Sequence, residues 1–571
     1  MSPLGVRVLA AALLASAASG CGRERPPQAP QPAPEPAVAA PDAAPAQPAA
    51  APAPRFETEQ LSRGGLYRVQ VRSQVLPIPL RQPHEWVAHI TTPEGQPVTP
   101  ERVLVDGGMP AHGHGFPTRP RAERQLGGGD LLIEGVEFNM EGRWELTLAI
   151  VGPAGRDIVT FTFDLRDAAG GERPPEQADR QLLASLSLAA LGPPPADPSN
   201  RMADDPRAVA LGERLFHDPG LSRGGATACV ACHQPALAFT DGRALAHGTG
   251  DAERNTPSLL GAGWHRWLTW DGRRDSLWSQ ALAPLESPVE MGGTRLEVVR
   301  YVLQHPEHGP AFAALFGPAP DALLAPDLPA RAGPFGEPAE RDAWMALAPA
   351  TREATDRAFA SIGKVLGAFQ RTLRPTGSRF DRYVATALGR GEAAAAPILS
   401  PDERAGLALF VDPARTHCLR CHNGPLFTNE GFHNVATGST EPPRYDLGRA
   451  VGIQAAIIDP FNCTGPHSDA PAEACRHLLL LDPRHAGGTL RGAFKVPTLR
   501  NVARTAPYMH DGRFATLEEV MDHYREPPPP DAARHELPTL DLTDRESEQI
   551  VAFLRALTDE PGSEAHPPPA H

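Results

Sequence analysis

Two copies of one pentapeptide, Cys229-Val-Ala-Cys232-His233 and Cys418-Leu-Arg-Cys421-His422, constrain this chain more than any other feature of it. Two cysteine sulfurs one helical turn apart are spaced to form thioethers to a single porphyrin, and the histidine that follows is then held beneath the ring as an iron ligand. A zinc site on the same cysteines needs a second Cys-x-x-Cys or a histidine pair at fixed spacing, and none stands nearby. A thiol-redox pair needs neither the histidine nor a second copy. The pattern predicts two covalently bound haem c groups, one on Cys229, Cys232 and His233 and one on Cys418, Cys421 and His422, and so a redox protein.

The chain has seven cysteines, and these motifs use four. Cys463 and Cys475 lie close together in a loop-like stretch and are expected to form a disulfide, which fits an oxidising compartment. Residues 1–20 carry Arg7 and then an apolar run from Val8 that is too short to span a bilayer, as in a signal peptide. The run ends in Ala18-Ser19-Gly20-Cys21, which resembles a lipoprotein cleavage box, although Ala18 stands where leucine is usual. Cys21 is therefore expected as a lipidated first mature residue, with plain secretion the alternative. No later stretch approaches the roughly 18 apolar residues of a membrane span. The expectation is a periplasmic protein that meets a membrane through its lipid anchor only, at the outer membrane by analogy.

Residues 21–54 are almost wholly Pro, Ala, Gln and Glu, a composition that cannot bury a core, and read as a disordered tether. Residues 55–170 alternate in the strand manner, as in Tyr67-Arg-Val-Gln-Val-Arg72, Trp144-Glu-Leu-Thr-Leu-Ala-Ile150 and Val159-Thr-Phe-Thr-Phe163, and predict a small all-β sandwich. From about residue 178 the pattern turns helical, in two units over 178–395 and 396–560 with a disordered tail at 561–571. Ser400-Pro401-Asp402-Glu403, Thr516-Leu-Glu-Glu519 and Thr543-Asp-Arg-Glu546 are capping boxes that open helices. A Leu-Phe-ending helix, Leu211 to Phe216 and Leu407 to Phe410, precedes each haem motif and suggests two cytochrome c-like domains. The fold class is thus mainly α, two helical haem domains behind a β-sandwich. The formal charge, 54 basic less 68 acidic residues, is −14, which argues against nucleic acid as a partner. It suits a basic electron donor, and ordinary solubility explains it equally.

Over residues 200–558 the chain resembles the bacterial di-haem cytochrome c peroxidases and their MauG-like relatives. The likeness is carried by Leu211-Gly-Glu-Arg-Leu-Phe-His-Asp-Pro219, Arg254-Asn-Thr-Pro-Ser-Leu259, Trp270-Asp-Gly-Arg273, Pro288-Val-Glu-Met291, Phe494-Lys-Val-Pro-Thr-Leu-Arg-Asn501 and Pro507-Tyr-Met-His-Asp-Gly512. The resemblance implies reduction of hydrogen peroxide with electrons from a small cytochrome c or cupredoxin. It places Glu290 over the His233 haem as the acid–base group, which takes a proton from one peroxide oxygen and returns it to the other. Gln280 is implied as its hydrogen-bonding neighbour, Trp270 as the indole between the haems, and Asn255 as a ligand of a calcium ion there.

Two positions bear on subtype. His247 is in the register of a distal histidine that blocks the first haem in peroxidases until the second is reduced. Tyr524 is in the register of the sixth ligand of the second haem, methionine in peroxidases and tyrosine in MauG-like proteins, with Met509 and Met521 nearby. Tyr524 implies the rival activity, peroxide-driven oxidation of a protein side chain. Residues 60–165 resemble the small FixH/YtkA-like β-sandwich domains. Met109, His112, His114 and Met140 suit copper there by ligand type, but a glycine-rich loop with exposed histidines explains them better. An electron-transfer cytochrome without catalysis, or a copper-binding assembly factor, are the readings from other classes.

Overall fold

The computed structural model describes residues 59–560 apart from 76–77, 80–82, 110–113, 117, 119, 139–141, 166–174, 413–414, 438–445, 480, 482–489, 529–534 and 536. The leader with Cys21, the tether, the tail, His112 and Met140 lie outside the described residues, as do the side chains of Met109 and His114.

Nine antiparallel strands come first: β1 (Glu59–Leu61), β2 (Arg68–Ser73), β3 (His84–Thr91), β4 (Arg102–Met109), β5 (His114–Gly115), β6 (Arg121–Gly127), β7 (Asp130–Val136), β8 (Gly142–Gly152) and β9 (Gly155–Leu165). Their spatial order is β1-β2-β3-β7-β6-β4-β8-β9, with β5 on β4. The two leaves expected of a sandwich are joined where β6 meets β4 at Val103 and Ala122. At the far edge Arg63 N donates to Ile158 O, so the sheet is nearly closed. Alternation explains the filling. Trp144, Leu146 and Leu148 of β8 lie opposite Phe163, Phe161 and Val159 of β9, and all six are buried together with Tyr67, Trp86 and Phe138. The other face of β4, β8 and β9 presents Leu104, Ala149 and Ile158, against which Leu479 packs.

Among the described residues the helices form two large apolar cores. In one, the helix Pro206–His217 packs Leu211, Leu215 and Phe216 against Phe359 and Phe369 of the long helix Pro349–Gln370. In the other, the helix Pro401–Val411 packs Leu407 and Phe410 against Phe553 and Leu554 of the helix Asp544–Arg555. The capping boxes form as read: Ser400, Thr516 and Thr543 each accept from the backbone N–H three residues on. The duplicated Leu-Phe helix has a steric counterpart. Gly212 lies on the Val365 carbonyl and Gly406 on the Gln549 carbonyl, so closely that any Cβ would collide with backbone. In each core a glycine thus lets the helix ahead of a Cys-x-x-Cys-His motif settle onto its partner. Among the described residues no helix is long and apolar enough to cross a membrane.

Arg500 ties the second core together. Its buried guanidinium makes two contacts with Asp381, at 2.6 and 3.0 Å, and donates to Leu186 O and Pro425 O. Arg500→Met leaves a buried carboxylate without its partner, and is expected to cost about 3–5 kcal/mol in chemical denaturation. An unchanged denaturation midpoint would show the pair to be dispensable.

Candidate active site

A cavity of about 710 Å³ is lined by both pentapeptides. The short helix Cys229–Cys232 and the 3-10 turn Cys418–Arg420 put Cys229, Cys232, Cys418 and Cys421 on its wall, none of them bridged. His233 Nδ1 is 3.0 Å from Phe239 O, and His422 Nδ1 is 3.0 Å from Phe427 O. A carbonyl at Nδ1 makes that nitrogen the protonated one and leaves Nε2 as the ligating atom. Burial lowers the pKa of both imidazoles, His422 to about 4, so each is neutral at pH 7. Burial also raises the thiols, Cys229 to about 12 and Cys418 to about 11.

Gln280, on the helix Leu277–Glu286, and Glu290, in the turn after it, line the same cavity. Glu290 is close enough to Cys229 and Cys232 to act on both thiols electrostatically, adding to the effect of burial. Trp270 is on the wall as well, and its Nε1 donates to Asn255 O at 2.9 Å. Asn255 is buried. Its N–H donates to His510 O and its side-chain amide to Arg243 O, both at 2.7 Å, so it ties together segments from both halves of the helical region. At the other end Tyr524, on the helix Leu517–Arg525, lines the cavity beside the second pentapeptide. Burial first, then Cys421 and Cys418, push its hydroxyl well above the usual tyrosine range. Met509 and Met521 share that wall.

His247 departs from its expected place. Its ring is exposed, with Nδ1 2.6 Å from Asp251, and it is not among the cavity-lining residues. Asp251 comes four residues later, across the tight bridge that pairs the two residues, and it captures the ring. Only the His247 carbonyl approaches the site, 3.8 Å from Cys232 Sγ.

The chain is similar to known proteins along most of its length. The di-haem cytochrome c peroxidase profile matches residues 206–388, and the YtkA-like profile matches 66–149. The methylamine utilization protein MauG of Methylorubrum extorquens is 30% identical over 406 residues, 70% of this chain and 92% of that protein. The chain belongs to the di-haem cytochrome c peroxidase and MauG family. Cytochrome-c peroxidase IdrP1 of Denitromonas iodatirespirans is 31% identical over 65% of this chain and 86% of that protein. The crystal structure of a MauG-like protein associated with microbial copper homeostasis is 28% identical and aligns over 64% of this chain and 93% of that one, with a TM-score of 0.44. Family membership implies two haem c groups. The residues present fit them: two unbridged thiol pairs and two neutral imidazoles held through Nδ1 face one largely apolar cavity.

Sequence reasoning did not single out the ion pairs at this cavity, in which Arg254, His265 and Lys495 line the wall and their carboxylate partners do not. Arg254 is paired with Asp271 at 2.8 Å and Asp446 at 2.7 Å. Glu430 stands 2.5 Å from His265 and 3.2 Å from Lys495. Burial alone would raise the Glu430 pKa, but these neighbours more than offset it and hold the pKa at about 2. A carboxylate with a depressed folded pKa stabilises above its unfolded value, near 4.3, and loses that contribution as pH falls toward 2. Glu430→Gln is thus expected to destabilise by about 2–3 kcal/mol at neutral pH and by progressively less between pH 4 and 2. Thermal unfolding followed by circular dichroism across that range checks it; a difference independent of pH would refute the assignment.

Proposed function

We propose that this protein is a di-haem c oxidoreductase that consumes hydrogen peroxide at the His233 haem and draws electrons through the His422 haem. The observation that carries the reading is the shared cavity, with Gln280 and Glu290 beside Cys229 and Cys232 and Trp270 on the same wall. The bound haems supply an iron that takes peroxide and a second centre that holds electrons. The residues do the rest. Glu290 accepts a proton from one peroxide oxygen and delivers it to the other, and Gln280 orients peroxide and Glu290 by hydrogen bonding. The Trp270 indole, fixed through Nε1, carries electrons between the two sites. Overall, peroxide, two electrons and two protons give two waters. Electrons come from a small cytochrome c or cupredoxin, and Cys21 anchors the protein by lipid on the periplasmic side.

A second reading, peroxide-driven oxidation of a protein side chain, is favoured by Tyr524 on the cavity wall and by His247 off it. With the His247 ring held by Asp251 off the cavity wall, the fully oxidised protein would have no need of prior reduction. Stopped-flow absorbance of the diferric protein mixed with hydrogen peroxide tests both. A fast change in both haem bands without reductant would support the second reading. Reaction only after one-electron reduction would support the gated peroxidase, and no reaction in either state would overturn peroxide chemistry altogether.

A further inference from the structure

Away from the cavity wall, Asp275 stands just ahead of the helix Leu277–Glu286 with its side chain fully buried. Its Oδ2 accepts from Cys463 N at 2.9 Å and faces His477 Nε2 at 3.1 Å. Its Oδ1 is buried and has no hydrogen-bond partner among the described residues. Cys463 is bridged to Cys475, and ligand atoms of Asp275, Cys463 and His477 lie within 4.8 Å of one another. The Cys475 sulfur lies outside that cluster but is bonded to the Cys463 sulfur inside it. A plain covalent staple accounts for the bridge but not for a buried carboxylate oxygen without a donor among the described residues.

We propose that opening the Cys463–Cys475 bridge unmasks a zinc site whose ligands are both cysteine sulfurs, His477 and Asp275. Two thiolates, one imidazole and one carboxylate are a four-coordinate set for a borderline-soft divalent cation. The step balances with a dithiol as reductant. The protein S–S bond takes two electrons and two protons to become two thiols, and the dithiol leaves as its own disulfide. Zinc then displaces both thiol protons to solvent. The site is a junction. Trp267, which lines the haem cavity, packs with Cys463 and Cys475, and Leu479, two residues past His477, packs on the outer face of the β-sheet. Occupancy there is placed to be felt on both sides.

The test uses the full-length protein with both haems attached, so that the pentapeptide cysteines are spent as thioethers. It is treated with excess tris(2-carboxyethyl)phosphine, which opens the bridge to the same two thiols without offering thiols of its own. Zinc is then added, and bound metal is counted by mass spectrometry after dialysis. One more zinc per chain is expected in the reduced than in the oxidised protein. Asp275→Asn and His477→Ala keep the bridge, and each should weaken the additional zinc at least about tenfold. No additional zinc, a bridge that stays closed in excess phosphine, or variants that bind as the parent does would each overturn the proposal.

Discussion

Replacing Glu290 with glutamine is expected to lower peroxide turnover by about 10²–10⁴-fold, the range of a lost general acid–base group. Glutamine keeps the length and hydrogen-bonding capacity of the side chain, so the cavity wall next to Cys229 and Cys232 stays intact. What it cannot do is take a proton from one peroxide oxygen and hand it to the other. The deficit should therefore fall on turnover, while haem content, both midpoint potentials and the resting spectrum stay as in the parent. Gln280→Ala should do less, since it only positions the reactants. Turnover at parental level in the Glu290 variant would place the proton transfer elsewhere. The next group on the cavity wall to examine would be His265, which is paired with Glu430.

The haem pentapeptides, capping boxes and alternating strands were legible because each is a local pattern whose partners lie within a few residues. Ser400 caps its helix through Glu403, and the two motif histidines meet carbonyls five or six residues on, Phe427 and Phe239. The ion pairs at the cavity were opaque for the opposite reason. Arg254 finds Asp446 and His265 finds Glu430 across more than a hundred residues of chain, and nothing in their immediate neighbourhood marks those pairings. His247 shows how register misleads. Eight residues before Asn255 was the expected position for a ligand, but Asp251 lies between them and holds the ring outside. Gly212 and Gly406 were in plain view inside helix-forming stretches, yet their purpose emerges only from the backbone they touch.

Tyr524→Met carries the second large effect, on the potential of the His422 haem. Tyr524 lies against Cys418 and Cys421, where burial and the two sulfurs resist ionisation of the hydroxyl. That resistance disappears if an iron cation takes the oxygen, because the metal charge then favours the phenolate. A phenolate stabilises the oxidised metal, whereas a thioether raises the potential. Axial ligation as a whole spans roughly 0.8 V across haem proteins, so a rise on the order of 0.1 V or more is expected for the second haem by spectroelectrochemistry. The first haem should move little, because its own ligand is untouched. With the second centre harder to oxidise, the diferric variant should lose the fast two-haem response to peroxide and react only once an electron is supplied. Met509 and Met521 sharpen the comparison, since both already share the wall. If either is the ligand in the parent, Tyr524→Met leaves the potential where it was, and Tyr524→Phe does the same.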